Sequence, residues 1–256
     1  MPHPVRQRIL ITGASSGLGE GMARRFAAMG RDLALAARRT DRLEKLRDEL
    51  VAADPGIRVV VSALDVDDPD AVATVVPRMA EELGGIDRFI ANAGIGKGVS
   101  VGGGRPEVNR AVLVTNVLGT HAQCEAAMEI FRAQNAGHLV LISSVAGMRG
   151  MPQSRTAYST SKAALNALAD GIRADVVGTP IRVTAIRPGF IATDINKGRR
   201  GVFSFDFTAD LDTGVHALTA AIEREPGVAY VPEWPWRPVA ALMRVAPIGL
   251  IGRATK

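Results

Sequence analysis

Several features that particular classes of protein need are scarce in this sequence. Its 256 residues include one cysteine, Cys124, so no disulfide can form within the chain and a cytoplasmic location is expected. It has no run of the roughly 18 apolar residues that a membrane-spanning helix requires. Aromatic residues make up only 4%, and the basic residues that give a net charge of +5 are scattered. We therefore expect neither a nucleic-acid partner nor a metal site.

Short apolar segments alternate with amphipathic ones along the chain. Strands are predicted at 8–12, 33–37, 57–64, 86–91, 139–142, 181–186 and 228–231, and the clearest helices at 18–29, 69–83, 106–134, 157–177 and 208–224. Such alternation predicts an α/β, doubly wound Rossmann fold with a mostly parallel seven-stranded sheet and helices on both faces. No composition shift marks a linker, so 1–256 is expected to be a single domain, with a variable lid at about 190–207 and a C-terminal extension at about 232–256.

A glycine-rich loop lies between the first predicted strand and the first helix. Glycines allow the backbone to turn sharply and to approach a pyrophosphate, and the following helix directs its amide end at the phosphates. An ordinary strand-to-helix turn is the alternative, because glycines open many helices. The predicted cofactor contacts of this loop are Gly13, Ser15, Ser16, Gly17, Leu18 and Gly19.

The end of the second predicted strand indicates which dinucleotide is bound. An acidic residue there would bind the ribose 2′-hydroxyl of NAD, but this chain has Arg38 and Arg39, and Asp32 lies at the opposite end of the strand. A guanidinium suits a 2′-phosphate, and Ser15 and Ser16 can donate to the same group. NADP(H) is therefore the predicted cofactor, although a solvated helix entrance would also contain arginines.

A tyrosine and a lysine on the predicted helix 157–177 form a candidate acid–base pair. Tyr158 and Lys162 are four residues apart, so they project from one face. A phenol, with a pKa of about 10, is a poor base at neutral pH, and a nearby ammonium stabilises the phenolate. Ser144 follows the fifth strand and is suited to hold a substrate oxygen. A surface Tyr–Lys pair and a simple turn serine are the alternatives.

With these motifs in this order, the sequence resembles the short-chain dehydrogenase/reductase family, in its shorter common type, over residues 8–193. The resemblance implies a catalytic set of Asn116, Ser144, Tyr158 and Lys162, in which Asn116 holds a water of the proton relay. It also implies that Asp65 contacts the adenine and that Thr193 helps to seat the nicotinamide. The cofactor contacts implied beyond the glycine loop and the two arginines are Asp65, Val66, Asn92, Ala93, Gly94, Tyr158, Lys162, Pro188, Gly189, Ile191 and Thr193.

The resemblance implies an oxidoreductase that moves a hydride between NADP(H) and a small-molecule carbonyl or alcohol substrate. Phe203, Phe205 and Phe207 in the predicted lid favour an apolar substrate, and the packed side of a short strand is an equal alternative for aromatics at alternate positions. A catalytically silent NADP(H)-sensing binding protein is the alternative function. Ser144 lies 14 positions before Tyr158, at the long end for the family, which leaves Ser143 as an alternative to Ser144.

The C-terminus departs from the family pattern. It lacks the Asp-Gly-Gly ending of tetrameric members, so a homo-oligomer is expected with a dimer favoured. After Glu233 the tail combines tryptophans and aliphatic residues with four basic residues and no acid. Packing on protein near the substrate opening is the favoured hypothesis, and contact with an anionic membrane surface and disorder are the alternatives.

Overall fold

The computed structural model describes residues 5–193 and 208–254. Within these residues, seven strands form one sheet in the order β3-β2-β1-β4-β5-β6-β7, and every neighbouring pair is parallel. The predicted doubly wound fold is thus confirmed. The strands are β1 (Arg8–Thr12), β2 (Asp32–Ala37), β3 (Val59–Ala63), β4 (Arg88–Ala91), β5 (Gly137–Ile142), β6 (Ile181–Pro188) and β7 (Val228–Val231).

Helices cover both faces of the sheet and enclose two apolar layers. One layer includes Phe89 and Phe131, and the other includes Phe26 and Leu43, all of them fully buried. No helix in the described part of the chain is long and apolar enough to cross a membrane. The helices are α1 (Gly17–Ala27), α2 (Thr40–Ala53), α3 (Pro69–Leu83), α4 (Pro106–Leu113), α5 (Gly119–Gln134), α6 (Thr156–Asp175), α7 (Leu211–Glu223), α8 (Glu233–Val245) and α9 (Ile248–Ala254).

Helix α3 shows how local chemistry sets these bounds. Pro69 lies in its first turn, where a missing N–H costs nothing. The Asp68 carboxylate accepts hydrogen bonds from the backbone N–H groups of Asp70 and Ala71, both at 3.0 Å. Gly84 ends the helix in the left-handed conformation, with φ of 80°. The predicted bounds of this helix, 69–83, are confirmed.

Several predicted bounds differ from the structure by a few residues, and two of the differences have a local cause. The single helix predicted at 106–134 is interrupted by a π-helical turn, Val114–Leu118, which separates α4 from α5. The turn lies within an otherwise helical segment and contains no glycine or proline, so no residue in it marks a break in the sequence. Strand β6 runs through Pro188 instead of ending at Ile186, because a proline at the end of a strand can still accept hydrogen bonds through its carbonyl.

The sheet topology defines where a ligand would lie. The chain moves outward from β1 through β2 to β3, and then returns to build β4 to β7 on the other side of β1. The loops that follow β1 and β4 therefore diverge and leave a crevice at the carboxyl ends of the strands. The glycine-rich loop follows β1, and the loop that begins at Asn92 follows β4.

Buried charges lie at the opposite, amino end of the sheet. Glu225 pairs with Arg6 at 2.7 Å and with Arg88 at 3.3 Å, and Arg88 also pairs with Glu223. Nε of Arg88 donates to Nδ1 of His138 at 2.9 Å. The network ties the segment after α7 to the amino ends of β4 and β5.

Candidate active site

A cavity of about 450 Å³ opens at the carboxyl ends of the strands. Gly19 and Asn116 are the two predicted site residues that do not line it. The predicted residues that line it are Gly13, Ser15, Ser16, Gly17, Leu18, Arg38, Arg39, Asp65, Val66, Asn92, Ala93, Gly94, Ser144, Tyr158, Lys162, Pro188, Gly189, Ile191 and Thr193. Residues spread over most of the chain therefore converge on one cavity.

The glycine-rich loop forms the floor of the cavity beside β1. Gly13 has φ of 64°, and a side chain on it would lie 2.8 Å from Cα of Ala93. The Asn92 amide donates to the Thr12 carbonyl at 2.9 Å, and the Thr12 hydroxyl accepts from the Ala93 N–H at 3.1 Å. The loops after β1 and β4 are thus fastened to each other. The amide end of α1, which starts at Gly17, meets the cavity and suits a phosphate.

A guanidinium and two hydroxyls meet at the end of β2. Nη2 of Arg39 donates to Oγ of Ser15 at 3.0 Å and to Oγ of Ser16 at 2.7 Å. The Arg38 side chain is 66% exposed and lies 4.0 Å from the Asp65 carboxylate. The sequence interpretation gave Arg38 the leading contact, but the structure joins Arg39 to the two serines. The cation and the hydroxyls form a cradle that fits a phosphate on an adenosine ribose.

The tyrosine and the lysine lie on the same side of α6. The Lys162 ammonium donates to the Ile142 carbonyl at 2.8 Å and lies 5.7 Å from the centre of the Tyr158 ring. Burial lowers the pKa of Lys162 to about 8, because the charged form loses its hydration. The ammonium is therefore held beside the phenol ring, where a developing phenolate would be stabilised.

Asn116 lies in the π-helical turn and is fully buried. Its Oδ1 accepts from the Ile95 N–H at 2.8 Å, and its Nδ2 donates to the Ile95 carbonyl at 2.9 Å and to Oγ of Ser161 at 3.0 Å. One side chain thus joins the loop after β4 to the residue before Lys162. π-Helical turns are frequent at functional sites, and this one directs an amide into the protein interior behind the cavity.

The two serines after β5 make different contacts. Oγ of Ser143 donates to the Lys162 carbonyl at 2.9 Å, which supports the backbone of α6. Oγ of Ser144 has only a 3.3 Å bond to the Pro188 carbonyl and accepts from the Ala146 N–H at 3.1 Å. Since the longer bond is the weaker one, the Ser144 hydroxyl is more easily redirected to a ligand. The geometry therefore favours Ser144 over Ser143 for contact with a substrate.

Sequence reasoning missed several residues that build the site. The backbone of Ile95 and the carbonyl of Ile142 hold Asn116 and Lys162, and only their positions next to recognised motifs pointed to them. Trp236 of α8 lies against Gly189, where a side chain would collide with the indole, and its ring lies 5.4 Å from that of Phe190. No local pattern indicated this contact. Most of the predicted lid, including Phe203, Phe205 and Phe207, falls outside the described residues.

The C-terminal extension packs on the protein beside the cavity. Met243 of α8 and Ile251 of α9 are buried in an apolar cluster with Met151, and Phe190 and Met148 pack against it. The tail thus covers the segment that follows Ser144, as the favoured sequence hypothesis expected.

Comparisons with known proteins agree with this architecture. The sequence profile described as short chain dehydrogenase matches residues 7–201. An uncharacterised oxidoreductase of Mycobacterium tuberculosis is 50% identical over 248 residues, which cover 97% of each chain. An alcohol dehydrogenase from Thermococcus sibiricus, solved with 5-hydroxy-NADP, is 27% identical with a TM-score of 0.77, over 88% of this chain and 95% of the other. An NAD⁺-bound xylitol dehydrogenase is 26% identical with a TM-score of 0.76, over 87% and 95%.

Proposed function

The chain belongs to the short-chain dehydrogenase family and is an oxidoreductase, and from this premise we propose that it reduces the carbonyl group of an apolar substrate with NADPH, or runs the reverse oxidation with NADP⁺. The observation that carries the cofactor choice is the cradle of Arg39, Ser15 and Ser16 at the end of β2. Strand β2 does not end in an acidic residue. A 2′-phosphate would therefore lie beside the Arg39 guanidinium and would not be repelled by a carboxylate at this position. Solved relatives bind either nicotinamide cofactor, so this local chemistry decides between the two.

Each catalytic residue has a separate role in the proposed reaction. Bound NADPH supplies the hydride that reduces the carbonyl carbon. Tyr158 donates its hydroxyl proton to the substrate oxygen as negative charge develops there, and Ser144 donates a hydrogen bond to the same oxygen. Lys162 stabilises the resulting phenolate, and Asn116 fixes the loop after β4 next to it. These roles are supported by the positions of Ser144, Tyr158 and Lys162 in the cavity lining and by the hydrogen bonds of Asn116 to Ile95.

The proposal of an apolar substrate rests on apolar residues that lie next to the cavity-lining residues Ser144 and Gly189 without lining the cavity themselves. The 3₁₀ turn Val145–Met148 follows this serine, and Met148, Met151 and Phe190 belong to the apolar cluster beneath the C-terminal tail. The dimer and the cytoplasmic location expected from the sequence remain predictions. The catalytically silent alternative has no observation of its own in its favour, because the Tyr158–Lys162 pair lines the cavity intact.

The test is the variant Tyr158→Phe. We expect turnover of NADPH with apolar ketones and aldehydes to fall by more than about 100-fold, because the proton donor is removed. NADPH binding, followed by nucleotide fluorescence, should stay close to that of the wild type. Tyr230→Phe is the matched control, because Tyr230 is the other tyrosine of the sequence and lies on β7. Its hydroxyl accepts a hydrogen bond from Arg187 at 3.0 Å, and its loss should leave turnover close to that of the wild type.

Two results would count against the proposal. If Tyr158→Phe kept most of its activity, Tyr158 would not be the proton donor. If the wild type bound NADPH but consumed none with any carbonyl compound, the NADP(H)-sensing function would be favoured.

A further inference from the structure

Helix α8 is apolar on two opposite sides. Trp236, Ala240 and Met243 face the protein and are buried. Pro238, Ala241, Leu242 and Val245 recur at the same helical spacing on the other side and are exposed. A surface helix normally has a polar outer face, so the second apolar stripe of α8 indicates an interaction site.

The exposed stripe continues on both sides of the helix. The exposed fractions are 78% for Trp234, 59% for Leu242 and 78% for Val245, followed by 63% for Ile248 and 55% for Leu250 on α9. We call the set Trp234, Pro238, Leu242, Val245, Ile248 and Leu250 the α8–α9 surface. Several large exposed apolar side chains on two successive helices mark an interaction site, whereas a single one does not.

Basic residues outnumber acidic ones among the described charges of α8 and α9, with Arg237, Arg244 and Arg253 against Glu233. From residue 234 to the end of the sequence there are four basic residues and no acidic one. Arg237 pairs with Glu233 at 2.7 Å, but Arg244 and Arg253 form no ion pair with any described residue. Arg149 adds another cation, since its guanidinium donates to the Ala246 carbonyl at 3.2 Å. The surface is therefore an apolar stripe with a cationic border.

We propose that the α8–α9 surface binds an anionic lipid bilayer. A second copy of the chain is a poorer occupant, because a two-fold interface would bring Arg244 and Arg253 of the two copies together, and the carboxylate that α8 offers, Glu233, already pairs with Arg237. A bilayer that contains acidic lipids complements both features, since the aliphatic side chains enter the acyl boundary and the arginines meet the headgroups. An exposed tryptophan beside them is typical of a membrane–water interface.

The surface lies over the side of the catalytic cavity. Met243 and Ile251, on the inner sides of α8 and α9, pack with Met151 and against Phe190, next to the nicotinamide-seating residues predicted at 188–189. A bilayer on the outer sides would bring the cavity close to compounds dissolved in the lipid. This consequence rests on the proposed function, whereas the binding of lipid does not.

The experiment is sedimentation of the full-length protein with vesicles at low ionic strength. One set contains phosphatidylcholine and phosphatidylglycerol in equal parts, and the other contains phosphatidylcholine alone. We expect the wild type to sediment with the anionic vesicles and much less with the neutral ones. Leu242→Gln with Val245→Gln should weaken binding by at least about 10-fold, because two apolar side chains that enter the acyl boundary of the bilayer are lost. Arg244→Gln with Arg253→Gln should weaken it by roughly 25-fold, at about five-fold per arginine.

Matched controls come from the amino end of the sheet. Val177→Gln changes a side chain that is 79% exposed just before β6, and Arg132→Gln with Arg182→Gln removes two exposed charges there. Both controls should bind like the wild type. Turnover of a water-soluble ketone without vesicles should be unchanged in all of these variants. If the wild type bound vesicles but had no reductase activity, only the proposed function would fail.

Other outcomes would overturn the lipid proposal. The proposal is wrong if the wild type stays in the supernatant when anionic vesicles are sedimented. It is also wrong if the Leu242→Gln/Val245→Gln variant binds these vesicles as well as the wild type does. If instead the wild type ran as a dimer that this variant dissociated, without lipid binding, the occupant would be a second copy of the chain.

Discussion

Replacing Lys162 with methionine should abolish turnover and yet stabilise the cofactor-free protein near neutral pH. Burial lowers the pKa of Lys162 from 10.5 to about 8. At about 1.4 kcal/mol per pH unit, this difference corresponds to roughly 3 kcal/mol of unfavourable free energy for holding the ammonium in the folded state. Methionine removes that cost but also leaves the buried Ile142 carbonyl without this hydrogen bond, which costs about 1–3 kcal/mol. The net gain is about 1 kcal/mol, or a rise in Tm of about 2–4 °C for a domain of this size.

The pH dependence of this gain separates it from ordinary repacking. Between pH 8 and 10.5 the unfolded chain binds the Lys162 proton more tightly than the folded chain, so the stability of the wild type rises with pH relative to the variant. The advantage of Lys162→Met should therefore be full below pH 8 and vanish as the pH approaches 10.5. Urea unfolding across this range measures it, and Lys45→Met, at an exposed position on α2, should show no such dependence. A Lys162→Met protein that is less stable than the wild type near neutral pH, or a pH-independent difference, would refute the reasoning.

Two further predictions concern other parts of the molecule. Arg39→Asp should raise KM for NADPH at least about 10-fold more than KM for NADH, because Arg39 contacts both serines. The matched Arg38→Asp, at a side chain that lies near Asp65 instead, should have a smaller effect. Equal effects of the two variants would show that Arg39 is not the preferred phosphate contact. Glu225→Gln should lower the free energy of unfolding by about 3–5 kcal/mol with kcat unchanged, because it leaves Arg6 buried with a neutral partner and Arg88 with Glu223 alone as its carboxylate. The exposed Glu49→Gln should cost at most about 1 kcal/mol, and similar losses for the two variants in urea unfolding would show that the buried network contributes little.

The parts of the site that could be predicted from the sequence are those encoded locally. The glycine-rich loop and the pair of Tyr158 and Lys162 depend on spacing within one turn or helix, and the strand pattern brings them to the same edge of the sheet. The fold was predictable for the same reason, because each buried strand is a short apolar run that alternates with an amphipathic helix. Local pattern and global fold agree along most of the described chain.

What could not be predicted depends on single backbone turns or on distant contacts. Arg38 and Arg39 are neighbours with the same chemistry, and the turn at the end of β2 decides which of them reaches the serines. The π-helical turn at Asn116 contains no glycine or proline that would mark it, so the sequence was interpreted as one continuous helix. Trp236 meets Gly189 across 47 positions of the chain, and no short motif encodes such a contact.

The two ends of the sheet bury charge in different ways. At the amino end Arg88 has two carboxylate partners, Glu223 and Glu225, which compensate much of the cost of removing its charge from water. At the carboxyl end Lys162 has a carbonyl and a phenol ring, and no described carboxylate pairs with it. Burial lowers the pKa of both Arg88 and Lys162, but only at Lys162 can a negative charge appear during the proposed reaction, on Tyr158. An ammonium that already had a carboxylate partner would stabilise that phenolate less, so the incomplete pairing that destabilises the resting protein is what suits Lys162 to the proposed chemistry.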